Sequence, residues 1–220
     1  MVEPLVVVAG SAEVLARAGA GEGLLTGVER ARAARFRHAS TREDFVAAHV
    51  LVRECAARLL GTEAAALTLL QRCPDCEEEG HGRPYLAEHP EVHVSLSHGK
   101  GVVAAAAGPG PVGVDVEQPS RGMVAEVAER VLAPAELARL KEHPEPERAF
   151  LRLWVRKEAL IKVGRATLDT LAGVDLSALP LDGSPLRGRW DGLHLLDWED
   201  GARGAVVGAV AATEPRLLEL

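Results

Sequence analysis

Val52-Arg-Glu-Cys-Ala-Ala-Arg-Leu-Leu-Gly61 aligns with Val155-Arg-Lys-Glu-Ala-Leu-Ile-Lys-Val-Gly164 at an offset of 103 residues, and Gly101-Val-Val-Ala-Ala-Ala-Ala107 aligns with Ala205-Val-Val-Gly-Ala-Val-Ala211 at an offset of 104. Two separate stretches share nearly one offset, close to half of the 220 residues, which points to an internal duplication. The plainer alternative is chance matching among abundant Ala, Val, Arg and Gly. Duplication predicts an α/β (α+β) fold: a pseudo-twofold tandem of two similar α/β subdomains, each with a small sheet packed on a long helix. The expected division is 1–110 and 111–220, joined near Gly108-Pro-Gly-Pro111, with a ligand site in the cleft between the halves.

Outward from the repeat, Leu5–Ala9 reads as a buried strand and Val92–Ser97 as a half-buried one. A long helix is predicted from near Ser40, with Thr41 and Asp44 at capping-box spacing, to Gly61. Val102–Ala107 and Val112–Glu117 read as strands joined by a hairpin-like Gly108–Pro111 connection. A second long helix starts after Pro144 or Pro146, carries Phe150, Leu153, Trp154, Leu160 and Ile161, and stops at Gly164. Short strands at about 186–190, 193–198 and 205–212 close the chain.

The composition, 47% hydrophobic and 26% charged, is that of a globular chain long enough to bury a core. The net charge of -7 gives no general attraction for nucleic acid, so a phosphate ligand needs a local basic cluster. Three cysteines make no disulfide framework, which suits a reducing cytoplasm. Leu5–Ala9 is too short for a signal-peptide core and follows Glu3 and Pro4; no run is long enough to span a membrane. No nucleophile elbow, phosphate-binding loop or dinucleotide fingerprint occurs.

Chemistry concentrates in two segments. In Gly113-Val-Asp-Val-Glu117 the period of two places Val112, Val114 and Val116 on one face and Asp115 with Glu117 on the other. In open water such a pair is a solvated edge; in a cleft it calls for a hard cation such as Mg²⁺ or Mn²⁺. On the second helix, Trp154, Lys157, Glu158, Ile161 and Lys162 are expected along one stripe. The plain reading is an exposed Glu158–Lys162 pair. Yet the chain has only four lysines beside twenty-one arginines, and two of the four stand five residues apart here, which suggests point-charge contacts to phosphate.

Gly113–Glu117 and Trp154-Val-Arg-Lys-Glu-Ala-Leu-Ile-Lys162, about forty residues apart, together resemble the signature of the 4'-phosphopantetheinyl transferases, of the surfactin-synthetase-activating (Sfp) type with Trp and Lys-Glu-Ala. The resemblance extends to Gly82-Arg-Pro84, Val94-Ser-Leu-Ser-His98, Arg35-Phe36 and Val50-Leu-Val-Arg53, spanning roughly residues 30 to 165. It implies Mg²⁺-dependent transfer of the phosphopantetheine arm of coenzyme A to a serine of an apo acyl or peptidyl carrier protein of fatty-acid, polyketide or nonribosomal-peptide assembly. Adenosine 3',5'-bisphosphate would be released. Carried over by position, Asp115, Glu117 and Glu158 would hold the metal. Glu158 would take the serine proton, and Lys162 and Lys157 would meet the phosphates. Ser97, His98 and Arg83 would bind coenzyme A near its 3'-phosphate. Arg83 replaces the family's usual Lys, and Val94 its frequent Asn. A monomer is expected, because one duplicated chain can supply the whole cleft.

Arg30, Arg32, Arg35, Arg37 and Arg42 form the one dense basic stretch. Such a run is either a solvated helix face or a mouth for coenzyme A or an acidic carrier, with Arg32 and Arg42 the candidate contacts. Cys73-Pro-Asp-Cys76 followed by His81 is a partial zinc pattern without an evident fourth ligand, and the plainer reading is a reduced loop with idle thiols. Two other functions fit the same residues: a zinc-stabilised regulatory or binding module, and a metal-dependent phosphohydrolase using the three acids.

Overall fold

The structure is a computed structural model that describes residues 2–18, 21–74, 76–119 and 123–218. The chain runs β1 (Leu5–Gly10), α1 (Ser11–Arg17), α2 (Gly27–Ala33), α3 (Ala39–Leu60), β2 (Leu69–Arg72), β3 (Arg83–Leu86), β4 (His93–His98), β5 (Val102–Gly108) and β6 (Val112–Glu117). There follow α4 (Met123–Val131), α5 (Pro134–Glu142), α6 (Pro146–Lys162), β7 (Leu186–Trp190), β8 (Leu193–Asp200), β9 (Ala205–Ala211) and β10 (Arg216–Leu217). Two sheets result, ordered β10-β1-β5-β4-β3-β2 and β6-β9-β8-β7. The mixed α/β architecture expected from the repeat is present.

Side-chain alternation on β5 explains the layering. Val103, Ala105 and Ala107 face the core that α3 covers. Val102, Ala104 and Ala106 face a second core shared with Val112, Val114 and Val116 of β6 and Val207, Ala209 and Ala211 of β9. Both faces of β5 are therefore dry, and the strand is apolar throughout, as burial on two sides requires. Beyond the second sheet, Phe150, Leu153 and Leu160 of α6 pack on Leu195 and Val210. The order is helix, sheet, sheet, helix.

The repeat aligns α3 with α6 and β5 with β9. Gly61 and Gly164 end the two helices in the left-handed region, at φ 68° and 79°, where a β-carbon is strained. Arg53 and Arg156, equivalent in the repeat, are both buried and both paired: Arg53 with Glu29 at 2.7 Å, Arg156 with Asp197 at 2.7 Å. Arg152 joins the same Asp197 at 2.7 Å.

Three sequence expectations change. β5 and β6 form no hairpin, because β5 already pairs with β1 and β4 and offers no open edge; Gly108–Pro111 instead carries the chain from one sheet to the other, where β6 pairs with β9. The long helix begins at Ala39, and Asp44 is no cap: its Oδ1 accepts from Ser11 Oγ (2.5 Å) and Gly101 N (3.0 Å), tying α3 to both ends of the first sheet's turns. The expected 111–220 unit is crossed by β10, which returns to the first sheet and pairs in parallel with β1.

His49, buried on α3, donates from Nδ1 to Phe45 O at 2.8 Å. Burial pushes its imidazole down to about 4, against the attraction of Glu29. The unfolded chain titrates this group near 6.5, so between about pH 6.5 and 4 the unfolded state holds the extra proton and stability falls as pH falls. A loss of the order of 3 kcal/mol across that window is expected. Urea unfolding as a function of pH should show this slope in the natural chain and a flatter one in His49→Gln.

Candidate active site

Gly113, Asp115 and Glu117 lie on the face of β6 that meets α6. A β-carbon on Gly113 would stand 2.3 Å from Ala159 O, and one on Gly208, the register partner of Asp115, 2.8 Å from the Val155 backbone. The two glycines let the helix lie directly on the strands. That close approach brings Trp154, Glu158 and Lys162, spaced four apart on one side of α6, over the two acids.

Asp115 is buried, and its two oxygens differ. Oδ1 accepts from Ser97 Oγ (2.8 Å) and Lys162 Nζ (2.8 Å). Oδ2 is buried with no hydrogen-bond partner. Lys162 Nζ also donates to Val114 O (2.7 Å) and, more loosely, to Leu96 O (3.3 Å), so its three donors join β4, β6 and α6. Ser95 Oγ accepts from Val114 N (3.1 Å) and closes the same seam.

The remaining acids are half-buried. Burial first, then the Asp115 charge, pushes the Glu117 carboxyl up to about 7, although Trp154 Nε1 donates to it at 3.3 Å. Glu158 is raised by the same two causes, with Lys162 opposing. Among the described residues the ligand oxygens of the three acids do not all come within 4.8 Å of one another. They share one acidic face, with Lys162 paired to Asp115, rather than a closed cage.

His98, at the end of β4, reaches solvent. Its imidazole is held below the ordinary value by partial desolvation, opposed by Asp44 and reinforced by Lys162 and Arg32. Arg83 lies against Gly164 just past Lys162; its guanidinium occupies the space where a β-carbon would sit. Arg83, Gln71, Ser95, Leu96 and Lys162 line a cavity of about 320 Å³. A larger one, about 470 Å³, opens between Pro146, Leu151 and Gly204 and touches none of these groups, so size alone does not locate the chemistry.

Two expected contacts are revised, those of Lys157 and Ser97. Lys157 faces away from the acids and is fully buried, bonded to Glu136 (2.9 Å), Leu171 O (2.9 Å) and Val174 O (2.5 Å), because five residues along a helix turn a side chain well off the Lys162 stripe. It is a structural lysine and meets no phosphate. Ser97 spends its hydroxyl proton on Asp115 and has none for a phosphate. Arg42 pairs with Glu22. Arg32 donates to Gln71 (3.2 Å) and lies 5.4 Å from the Phe45 ring centroid, at the rim. Trp154, as a donor to Glu117, and Gly113, as the close-approach residue, were not singled out for these roles, although the spacing of Trp154 from Glu158 and Lys162 signalled the shared face.

Residues 111–206 match the sequence model of the 4'-phosphopantetheinyl transferase superfamily. The chain is similar to a 4'-phosphopantetheinyl transferase of Bacillus subtilis, 28% identical over 188 residues, which cover 84% of this chain and 76% of that protein. It is 33% identical over 137 residues to 4'-phosphopantetheinyl transferase psf-1 of Bacillus pumilus, covering 61% of this chain and 55% of that one. To 4'-phosphopantetheinyl transferase Sfp of Bacillus subtilis (strain 168) it is 27% identical over 174 residues, 78% of this chain and 70% of the relative. The family model and all three relatives agree on 4'-phosphopantetheinyl transferases, Sfp among them, and the chain is a transferase similar to these proteins.

Lys157→Ala strands Glu136, itself fully buried, and should cost about 3–5 kcal/mol in urea unfolding. Lys157→Met combined with Glu136→Gln should recover much of that loss.

Proposed function

We infer that this chain transfers the 4'-phosphopantetheine arm of coenzyme A to a serine hydroxyl of an apo acyl or peptidyl carrier protein, releasing adenosine 3',5'-bisphosphate. The observation that carries the reading is Asp115 Oδ2, buried and without a hydrogen-bond partner beside two carboxyls raised by burial and then by the Asp115 charge. An all-oxygen donor set of that charge suits Mg²⁺ or Mn²⁺, with Asp115, Glu117 and Glu158 as its holders. When bound, the ion would supply charge neutralisation for the pyrophosphate, the main demand of phosphoryl transfer.

The protein's own groups do the rest. Lys162 has its three donors on Asp115, Val114 O and Leu96 O, so it positions Asp115 and lends its charge to the site. The long bond to Leu96 O is the one most readily exchanged for a phosphate oxygen. Glu158, raised by burial and by Asp115, is the base for the serine proton. Arg83 lines the cavity from the first sheet and His98 stands at the exposed end of β4; both would donate to the coenzyme A 3'-phosphate. Arg32 extends that positive rim toward an acidic carrier. Because the two sheets of one chain supply every group, the working form we propose is a monomer in the cytoplasm. No helix of the described residues is long and apolar enough to cross a membrane.

Intact-mass measurement of an apo carrier protein incubated with this protein, coenzyme A and Mg²⁺ tests the reading. The expected result is a gain of one phosphopantetheine group that EDTA abolishes. No gain on fatty-acid, polyketide or peptidyl carriers would overturn it. Glu117→Gln and Glu158→Gln should each slow transfer about a hundredfold or more with thermal unfolding unchanged, and Asp115→Asn should slow it as much while lowering the unfolding temperature, because it breaks the Lys162 pair.

A further inference from the structure

The connection between β2 and β3 has no core to hold it. Residues 73–82 contain no Ala, Val, Leu, Ile, Met, Phe, Tyr or Trp, three consecutive glutamates stand at 77–79, and Cys76, Glu77, Glu78, Glu79, His81 and Gly82 are exposed. Ordering such a loop costs conformational entropy that hydrophobic burial does not offset. Its described residues are nonetheless folded back tightly. Cys73 N donates to Glu78 O (3.0 Å), Glu77 N to Cys73 O (3.0 Å) and Gly80 N to Gln71 O (2.9 Å). Glu77, directly after the second cysteine, takes a left-handed φ of 60°, unfavourable for a residue with a side chain. At Gly82, also left-handed, a β-carbon would sit 2.5 Å from Arg72 O and Cys73 Cα, so the returning chain passes directly over the first cysteine.

That path delivers three soft ligands to one point. The Sγ atoms of Cys73 and Cys76 and a ring nitrogen of His81 all lie within 4.8 Å of one another, and Cys76 Sγ is 3.4 Å from His81 Nε2. Zinc–sulfur and zinc–nitrogen bonds of about 2.3 and 2.0 Å put the edges of a tetrahedral site at roughly 3.5–3.8 Å, so modest side-chain adjustment closes the group on one ion. Asp75 lies outside the described residues; among those described, no fourth His, Cys, Asp or Glu atom joins the cluster.

We propose that Cys73, Cys76 and His81 bind a zinc ion, with solvent in the fourth position, and that the ion orders the β2–β3 connection. Binding is a simple exchange: two thiols release their protons as thiolates, the neutral imidazole donates its lone pair, and nothing is oxidised or reduced. Three glutamates nearby add a negative field. The consequence is positional, since β3 begins at Arg83, two residues after His81, and carries that guanidinium to Gly164 at the rim of the cavity.

The test is made on the full chain purified without chelator, with zinc measured by mass spectrometry and cobalt(II) titrated into the metal-free protein. About one zinc per chain is expected, together with a thiolate-to-cobalt charge-transfer band. Cys76→Ser and His81→Ala should each retain zinc roughly tenfold or more weakly. Amide exchange in 73–82 should slow on zinc addition while α3 and α6 are unchanged, which reports binding even if a variant folds poorly. Zinc no higher than in Cys76→Ser, no cobalt band, or a Cys73–Cys76 disulfide in freshly purified protein would overturn the proposal.

Discussion

The ammonium of Lys162 holds the two sheets and the acidic face of β6 in register. A buried aspartate on the helix-facing side of β6 is costly unless paired, and Asp115 has its cation 2.8 Å away. The same nitrogen bonds main-chain carbonyls of β4 and β6, so removing it would uncouple the seam and leave Asp115 with Ser97 alone. The geometry depends in turn on Gly113 and Gly208, which let the α6 backbone rest on β6 and β9. One close helix–sheet contact thus sets both the fold of the second half and the location of its charge.

The two aligned helices differ in what their equivalent stripe carries. At the repeat offset, Trp154, Glu158 and Lys162 correspond to Leu51, Cys55 and Leu59. On α3 that stripe is apolar and packs in the core over the first sheet; Cys55, pushed up to about 12 by burial, is an inert thiol. On α6 the same stripe is polar and faces the acids. The buried arginines Arg53 and Arg156 persist in both halves, each with a carboxylate, as expected of a group whose burial is tolerable only while paired.

Much of this was legible from residue order. The repeat, the glycine stops and the period of two in Gly113–Glu117 led to the two-sheet fold and to the shared face of Asp115 and Glu117, because each is a local consequence of backbone geometry. Long-range facts were not. The sequence cannot show that β5 has both edges occupied, so β6 looked like its hairpin partner. Nor can it show that β10 covers β1. Lys157 and Lys162 look alike in sequence, but 3.6 residues per turn send one into the α5 side of the core and the other into the seam. The scarcity of lysine marked both as special, one for a buried ion pair and one for the site.

The unpartnered oxygen of Asp115 is the place where a cation would bind. Electron paramagnetic resonance of Mn²⁺ titrated into the natural chain and into Asp115→Asn, in the presence of coenzyme A, measures this directly. A single class of bound Mn²⁺ in the natural chain, weakened roughly tenfold or more by the substitution, is the predicted result. Equal Mn²⁺ affinity in the two proteins would contradict it.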